Sequence, residues 1–129
     1  MPLGAAKAAL FGAAGGGAAI RAGYFGGGRV SGWAPVATMQ KILFSDDTIS
    51  VLGTGLSIAR SAPAGVADSL VAGYMAGGNT PSGFSTSVDK FLLADDTRTT
   101  ISSILAQARK QMAGFSNSGT AGYWAGGQD

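Results

Sequence analysis

A seven-residue segment recurs three times along the chain. It reads AGYFGGG from residue 22, AGYMAGG from residue 72 and AGYWAGG from residue 121, so successive copies are 50 and 49 residues apart. Self-similarity at a fixed period of this length is typical of repeat proteins, in which each repeat is one supersecondary unit that buries a face against its neighbours. The repeat therefore constrains the fold more than any single residue does.

Two further landmarks keep the same offset. Asp46-Asp47-Thr48 returns as Asp95-Asp96-Thr97, and Arg60 returns as Arg109, each 49 residues later. The one-residue difference between the copies falls between the glycine pair and the Asp-Asp pair. We therefore expect a loop of variable length there, between elements whose spacing is fixed.

The pattern within each repeat predicts two β-hairpins. Segments rich in β-branched residues flank each Asp-Asp turn, and a second pair flanks a short polar turn. The predicted strands are residues 38–44, 48–52, 64–67, 70–76, 87–93, 97–102, 112–115 and 120–125. Two hairpins make a four-stranded sheet, so the predicted fold class is all-β.

Composition agrees with this prediction and excludes several classes of function. The 7 acidic residues are all Asp, so the Glu/Lys pairs that support solvated helices are absent. Without Cys or His, the chain cannot form disulfides, Cys- or His-based zinc sites or imidazole-dependent catalytic triads. We predict no catalytic residue, no metal site and no cofactor. The basic residues are scattered and the net charge is only +2, so no nucleic-acid partner is expected.

In their order, these motifs resemble the kelch repeat of β-propellers. In that family an Arg precedes the first strand, and the second strand carries an aromatic residue and ends in Gly-Gly. The third strand then leads through a turn to the fourth. The matching residues are Arg60 and Arg109, Tyr24, Tyr74 and Tyr123, and the pairs Gly27-Gly28, Gly77-Gly78 and Gly126-Gly127.

The resemblance covers residues 22–129 and implies about two to two and a half four-stranded blades. The chain departs from the family after the turn, where kelch repeats usually carry a Trp and this chain has Ile49 or Arg98. Residues 1–21 form an Ala- and Gly-rich arm or partial blade, in which residues 8–14 are a candidate strand. This segment is too short and too rich in glycine for a signal core or a membrane span, so we expect it to be retained.

The glycine pairs and the arginines are interpreted as structural. A residue without Cβ lets backbones approach closely or adopt a positive φ, whereas a phosphate-binding loop would need a GK[ST] sequence that is absent here. The arginines are predicted to bond carbonyls or an Asp between blades, with a ligand role as the alternative. Turn formation is likewise favoured for the Asp-Asp-Thr segments over a calcium loop or a pair of catalytic carboxylates.

Loop aromatics carry the only binding signal in the sequence. Trp33 and Phe84 are predicted to occupy equivalent places in the variable loop after the glycine pairs, in Ser-Gly-Trp and Ser-Gly-Phe segments that otherwise hold small and turn-forming residues. Loops on rigid scaffolds often carry function, so these side chains could stack on a sugar or dock a protein. A hydrophobic plug over the end of the blade is the favoured interpretation.

The number of repeats predicts self-association. A propeller needs about four to eight blades, so one chain cannot close a ring and its end blades expose unpaired edges. We expect a homo-oligomer, with a trimer or a dimer favoured.

The repeats and the Ala/Gly-rich start also resemble tail-appendage and other structural proteins of tailed-phage virions. This resemblance implies a non-enzymatic virion protein, either a tail-fibre or appendage subunit or a capsid decoration, that takes part in host attachment. Residues 1–21 would then dock onto other virion proteins. The alternative is a secreted or surface lectin-like module that binds a host glycan.

Overall fold

The computed structural model describes residues 21–68, 71–117 and 119–129. Their strands are β1 (Ala22–Gly26), β2 (Met39–Leu43), β3 (Ile49–Val51), β4 (Ala64–Asp68), β5 (Ala72–Ala76), β6 (Asn79–Thr80), β7 (Gly83–Phe84), β8 (Val88–Leu92), β9 (Arg98–Thr100), β10 (Ala113–Asn117) and β11 (Ala121–Ala125). One short 3-10 turn spans Ser31–Trp33. The all-β fold class is confirmed. The candidate strand at residues 8–14 and residues 1–20 of the predicted arm lie outside the described residues.

The strands form antiparallel sheets, none of which is closed. The first sheet has the order β1-β2-β3, the central sheet β4-β5-β8-β9 and the terminal sheet β10-β11, while β6 and β7 form a separate small hairpin. Both predicted hairpins of the repeat are present, and the central sheet joins β4-β5 to β8-β9. The chain passes from one sheet to the next in the segment that contains Arg60 or Arg109.

The three sheets share one pairing pattern and differ in how much of it they contain. The register of β4 on β5 runs from Ala64 opposite Ala76 to Asp68 opposite Ala72, and the register of β10 on β11 repeats it residue for residue. β1, β5 and β11 are therefore equivalent strands. β5 has a neighbour on each side, whereas β1 and β11 each have one among the described strands.

A small apolar core lies between the first and central sheets. Met39 on β2, Phe91 on β8 and Leu56 in the segment between β3 and β4 are its buried residues, and Tyr24, Ala37, Leu52 and Met75 pack against them. Burying a side chain of this size stabilises the folded state by about 1.5–3 kcal/mol. The core therefore holds these two sheets together with few large residues.

The terminal sheet is attached to the central sheet through β4. The Trp124 indole Nε1 donates a hydrogen bond to the Ala64 carbonyl at 3.3 Å, and the Gly119 backbone N–H donates to Asp68 Oδ1 at 2.9 Å. Most side chains of β10 and β11 are exposed. The two-stranded sheet is therefore held along its inner side, while much of its surface faces solvent.

Candidate functional site

Each complete junction between sheets is built on a glycine pair and an arginine backbone. The Gly28 N–H donates to the Arg60 carbonyl at 3.0 Å, and the Gly78 N–H donates to the Arg109 carbonyl at 2.7 Å. Gly27 and its counterpart Gly77 have positive φ, and a Cβ on Gly77 would lie 2.5 Å from the Arg109 carbonyl oxygen. Both the left-handed backbone and the close approach require glycine at this position.

The third glycine pair, Gly126-Gly127, has part of the same junction, namely the backbone pairing with the segment that precedes its own hairpin. Lys110 and Gln128 exchange two backbone hydrogen bonds, as Ser61 and Asn79 do in the central repeat. Gly126 also has a positive φ, but a Cβ there would meet nothing within 4 Å. The conformation of the pair and the crowding of its second glycine are thus local to the repeat, since a Cβ on Gly127 would lie 2.6 Å from the Lys110 carbonyl oxygen, whereas the crowding of the first glycine comes from the segment that follows.

Arg60 lies at the centre of a fully buried ion pair. Its side chain and that of Asp89 on β8 are 0% exposed, and the Arg60 Nη2 to Asp89 Oδ2 distance is 2.8 Å. Arg60 also donates to the Met75 carbonyl at 3.1 Å and to the Ser87 carbonyl at 3.3 Å. The arginine thereby fixes the connecting segment to two strands of the central sheet.

Asp89 is the acceptor that organises this cluster. Its Oδ2 also accepts hydrogen bonds from the Ser57 N–H at 2.8 Å and the Ser57 hydroxyl at 2.9 Å, and its Oδ1 accepts from the Thr100 hydroxyl at 2.7 Å. Burial lowers the pKa of Arg60 below its ordinary value, while the charge of Asp89 opposes that shift. Charge pairing and hydrogen bonding therefore offset only part of the desolvation of Arg60, whose buried Nε has no hydrogen-bond partner among the described residues.

Arg109 occupies the equivalent position without an equivalent partner. Its side chain is 34% exposed, and its Nη2 lies 3.9 Å from Asp129. It donates to the Gly126 carbonyl at 3.1 Å and to the Gln107 side chain. Both arginines thus bond carbonyls, but only Arg60 reaches a buried carboxylate.

The Asp-Asp-Thr segments are turns in which the first Asp bonds its own backbone. Asp46 accepts from the Thr48 N–H and hydroxyl at 3.0 and 2.8 Å, and Asp95 accepts from Thr97 at 3.1 and 2.7 Å. These bonds lower the pKa of both Asp46 and Asp95. The predicted turn chemistry is confirmed for the first Asp of each pair.

The second Asp of the later turn joins two sheets. Asp96 accepts a hydrogen bond from the Tyr24 hydroxyl at 2.7 Å and two from the Lys41 ammonium at 2.8 and 3.1 Å. Tyr24 and Lys41 are directly opposite each other on β1 and β2. The turn between β8 and β9 therefore docks on the first sheet through a three-residue polar bridge.

The protonation of this bridge reflects its surroundings. Partial burial and the hydrogen bond to Asp96 raise the pKa of Tyr24. Burial alone would lower the pKa of Lys41, but its bonds to Asp96 and Tyr24 raise it overall. Both groups therefore keep their protons to higher pH in the folded chain than in the unfolded one.

The structure places the remaining repeat tyrosines differently. Tyr74 lies under the Lys90 ammonium, which is 5.8 Å from the ring centroid. Tyr123 is 49% exposed and stacks on Phe115 with a centroid distance of 5.1 Å. Among the three equivalent tyrosines, Tyr24 is therefore the one whose hydroxyl bonds a carboxylate within the described chain.

The two loop aromatics are separate and have different exposures. Trp33 is 77% exposed, with the Arg29 guanidinium 5.1 Å from its ring centroid. Phe84 is half-buried beneath Lys110 and pairs with Asn79, as Pro35 pairs with Arg29. Phe84 is thus equivalent to Pro35 and not to Trp33. The loop after Gly27-Gly28 is one residue longer than the loop after Gly77-Gly78, which explains why the two aromatic residues do not coincide.

An open cleft of about 560 Å³ lies between β1 and the inner strands of the other two sheets. It is lined by small residues and by apolar side chains that include Tyr24, Phe44, Val66, Tyr74 and Phe115. Within the described residues, no group of three or more Asp side chains converges on it or anywhere else to form a metal site. The described part of the chain also contains no helix that is long and apolar enough to cross a membrane.

No protein-family model matches this chain, and no curated protein matches it in sequence. Sequence reasoning identified the glycines and arginines of the junctions but missed Asp89, Lys41 and the role of Asp96. Lys41 and Lys90 are also 49 residues apart. This spacing marks the lysine as a further repeated position, and it could have identified Lys41 from the sequence.

Proposed function

We propose that this chain is a non-enzymatic structural protein that assembles with copies of itself through its incomplete sheets. One observation carries the proposal. β5 is paired on both sides, whereas its equivalents β1 and β11 are each paired on one side among the described strands. Open strand edges can pair with further strands. A second copy of this chain offers strands of the same repeated sequence.

Exposed apolar side chains support the same conclusion. Several large ones lie on or beside the first and terminal sheets and are about half or more exposed: Phe25, Phe44, Ile49, Val51, Phe115 and Tyr123. Isolated exposed apolar residues are normal on monomers, but concentrations of them mark contact surfaces. Most equivalent positions of the central sheet are less exposed, since Val66 is buried and Tyr74, Met75 and Leu93 are half-buried.

Kelch-like repeats provide the architecture for the proposed assembly. If each sheet is a propeller blade, a closed ring needs more blades than one chain supplies. The kelch-like order of Arg, strand, strand ending in Gly-Gly, strand, turn and strand supports this reading, since the central sheet has that order. A dimer or a trimer would complete such a ring.

The proposed setting is a phage virion, as a tail-fibre or appendage subunit or a capsid decoration. Its support is the sequence resemblance together with a repeat of small residues that lacks Cys and His. Residues 1–21 would attach the assembly to other virion proteins. Mass spectrometry and immunogold labelling of purified particles would test this setting, and absence of the chain from particles would contradict it.

Self-assembly is tested by sedimentation velocity and light scattering on the full chain. We expect a discrete oligomer at micromolar concentration, with dimer or trimer mass, that dissociates on dilution without loss of β-sheet circular dichroism. A folded monomer across the whole concentration range would overturn the proposal. Polydisperse, unfolded aggregate would also count against it, because assembly through defined edges gives a defined mass.

A second candidate function is glycan binding, and the exposure of Trp33 favours it. An aromatic ring that is 77% exposed offers a stacking surface for a sugar, even with Arg29 over part of it. A glycan array probed with the wild type and with Trp33→Ala tests this role, and Phe84→Ala is the matched control because Phe84 is half-buried. Binding that is lost only in Trp33→Ala supports a lectin role, and no binding by the wild type contradicts it.

A further inference from the structure

The described residues contain one complete example of a turn that docks on a neighbouring sheet. In it, Asp96 accepts hydrogen bonds from Tyr24 and Lys41, which are paired across β1 and β2. The Lys41 ammonium also lies 5.6 Å from the centroid of the Tyr24 ring. These contacts define what a Tyr-Lys pair of this repeat binds, namely the second Asp of an Asp-Asp-Thr turn.

The central sheet presents the same Tyr-Lys pair without an acceptor. Tyr74 is directly opposite Lys90 on β5 and β8, in the register of Tyr24 and Lys41. The ammonium lies 5.8 Å from the ring centroid, close to the spacing in the complete example. Neither side chain has a hydrogen bond or ion pair to the described residues, so within that part of the chain the pair is a preformed receptor without an acceptor.

The first sheet presents the matching turn without a receptor among residues 21–68, 71–117 and 119–129. Asp47 has φ 59, the same value as Asp96. The N–H of each donates to a carbonyl four residues earlier at 2.9 Å, Leu43 for Asp47 and Leu92 for Asp96. The Asp47 side chain is exposed and has no polar partner among the described residues. One chain thus carries both halves of a second joint.

We propose that the Asp46–Thr48 turn of a second copy docks on Tyr74 and Lys90, with Asp47 accepting hydrogen bonds from both side chains. This inference rests on the proposed self-assembly and names the surfaces that carry it. The joint is head-to-tail, because the turn and its receptor are different patches of the same chain. Opposite charges on the two patches favour this orientation over pairing of like patches.

Strand order shows how the second copy fits. In the complete joint, the docking turn connects the third and fourth strands of a four-stranded sheet, β8 and β9, whose second strand is β5. Beside the unfilled receptor lies the terminal sheet, which has the first two strands, β10 and β11. The β2-β3 hairpin of the second copy would add the missing third and fourth strands alongside β11.

In that arrangement, β2 of the second copy gives up its own β1 as a neighbour and pairs with β11 of the first copy instead. β1 and β11 share the sequence Ala-Gly-Tyr at equivalent positions, so β11 can take the register that β1 has on β2. The product is a sheet with the strand order of the central sheet. Tyr123 would then stand opposite Lys41 of the second copy, in the place of Tyr24.

Two single variants and their mixture test the joint. Asp47→Asn removes the charge in a residue type that tolerates positive φ, and Lys90→Glu places a like charge opposite Asp47. Each alone should weaken self-association by about tenfold or more, the effect expected for losing a charged hydrogen-bonded pair of about 1.5–3 kcal/mol. Because the joint is head-to-tail, mixing the two variants should restore a 1:1 dimer that grows no further.

Asp46→Asn is the matched control. It makes the same charge change one residue away, and its amide oxygen can still accept the Thr48 bonds, so its assembly should equal that of the wild type. If Lys90→Glu fails to fold, Tyr74→Phe replaces it and should weaken association in the same direction. An oligomeric wild type whose assembly is unchanged by Asp47→Asn would overturn this joint and leave the proposed function standing. A monomeric wild type would overturn both.

Discussion

Arg60 and Arg109 occupy the same position of the repeat but have different surroundings. Arg60 is fully buried and paired with Asp89 at 2.8 Å, whereas the Arg109 side chain is 34% exposed and has a carboxylate no nearer than 3.9 Å. Both carbonyls accept a hydrogen bond from the second glycine of the preceding pair. The backbone role of the arginine is therefore common to both repeats. Its burial and charge pairing depend on the third and fourth strands of the sheet that follows it. Arg60 is followed by such strands, β8 and β9, whereas the described sheet after Arg109 consists of β10 and β11.

The difference shows which interactions a repeat contains within itself. The glycine conformation is the same in all three copies, and turn geometry and strand register are the same in the two copies that show each of them, because they depend on residues close in sequence. Buried ion pairs and polar bridges depend on the next sheet. In the first sheet, Gln40 takes the place of Asp89 and Val51 that of Thr100, so no such cluster can form there.

The largest effect is expected from removing the buried arginine. Arg60→Met keeps the length of the side chain but leaves the carboxylate of Asp89 buried without its counter-charge, which should destabilise the fold by about 3–5 kcal/mol. Arg109→Met should cost less than about 1 kcal/mol, because exposed ion pairs contribute little. Chemical denaturation of both variants measures the contrast.

A double variant separates charge from packing at this site. Adding Asp89→Asn to Arg60→Met removes the unpaired charge and should recover part of the lost stability. If the double variant is no more stable than the single one, Arg60 acts by filling space and bonding carbonyls, and its contrast with Arg109 is not electrostatic.

The next effect concerns the glycine pairs. Gly77→Val places a β-branched side chain at positive φ and within 2.5 Å of the Arg109 carbonyl oxygen, whereas Gly126→Val meets only the conformational penalty. Strained backbone conformations of this kind cost about 1–3 kcal/mol. We expect Gly126→Val to fall in that range and Gly77→Val to exceed it, as measured by thermal unfolding. Equal losses would mean that the close approach in the central junction relaxes without cost.

Sequence reasoning recovered the strands of the two repeated hairpins because the repeat identifies each one more than once, but it did not predict the short strands β6 and β7. The segments around the Asp-Asp turns became β2, β3, β8 and β9 with ends displaced by one or two residues. It did not recover Asp89 or the bridge from Tyr24 and Lys41 to Asp96, which lies 55 residues beyond Lys41. The local hydrogen bonds do not distinguish Asp96 from Asp47, since they are the same in both turns, and among the described residues only Asp96 bonds a neighbouring sheet.

An alkaline titration should distinguish the filled bridge from the unfilled receptor. The folded pKa values of Tyr24 and Lys41 are raised, so their stabilisation is fully present below the unfolded values of about 10 and 10.4 and is lost as pH rises through the folded values. The free energy of unfolding should therefore fall above about pH 10. Tyr24→Phe should reduce this slope, while Tyr74→Phe, measured at concentrations where the chain is monomeric, should not. A reduced slope in Tyr74→Phe would show that Tyr74 has an intramolecular acceptor.

The smallest effect, and the one expected to be the same in both sheets, concerns the first Asp of each turn. Bonds from Thr48 and Thr97 lower the folded pKa values of Asp46 and Asp95, so their contribution is present above the unfolded value of about 4 and disappears as pH falls through the folded values. Asp46→Asn and Asp95→Asn should each flatten the acid dependence of the melting temperature slightly, and to the same extent. A clear difference between the two variants would show that even these turns depend on the sheet beside them, and the division between local and neighbour-dependent interactions would then be wrong.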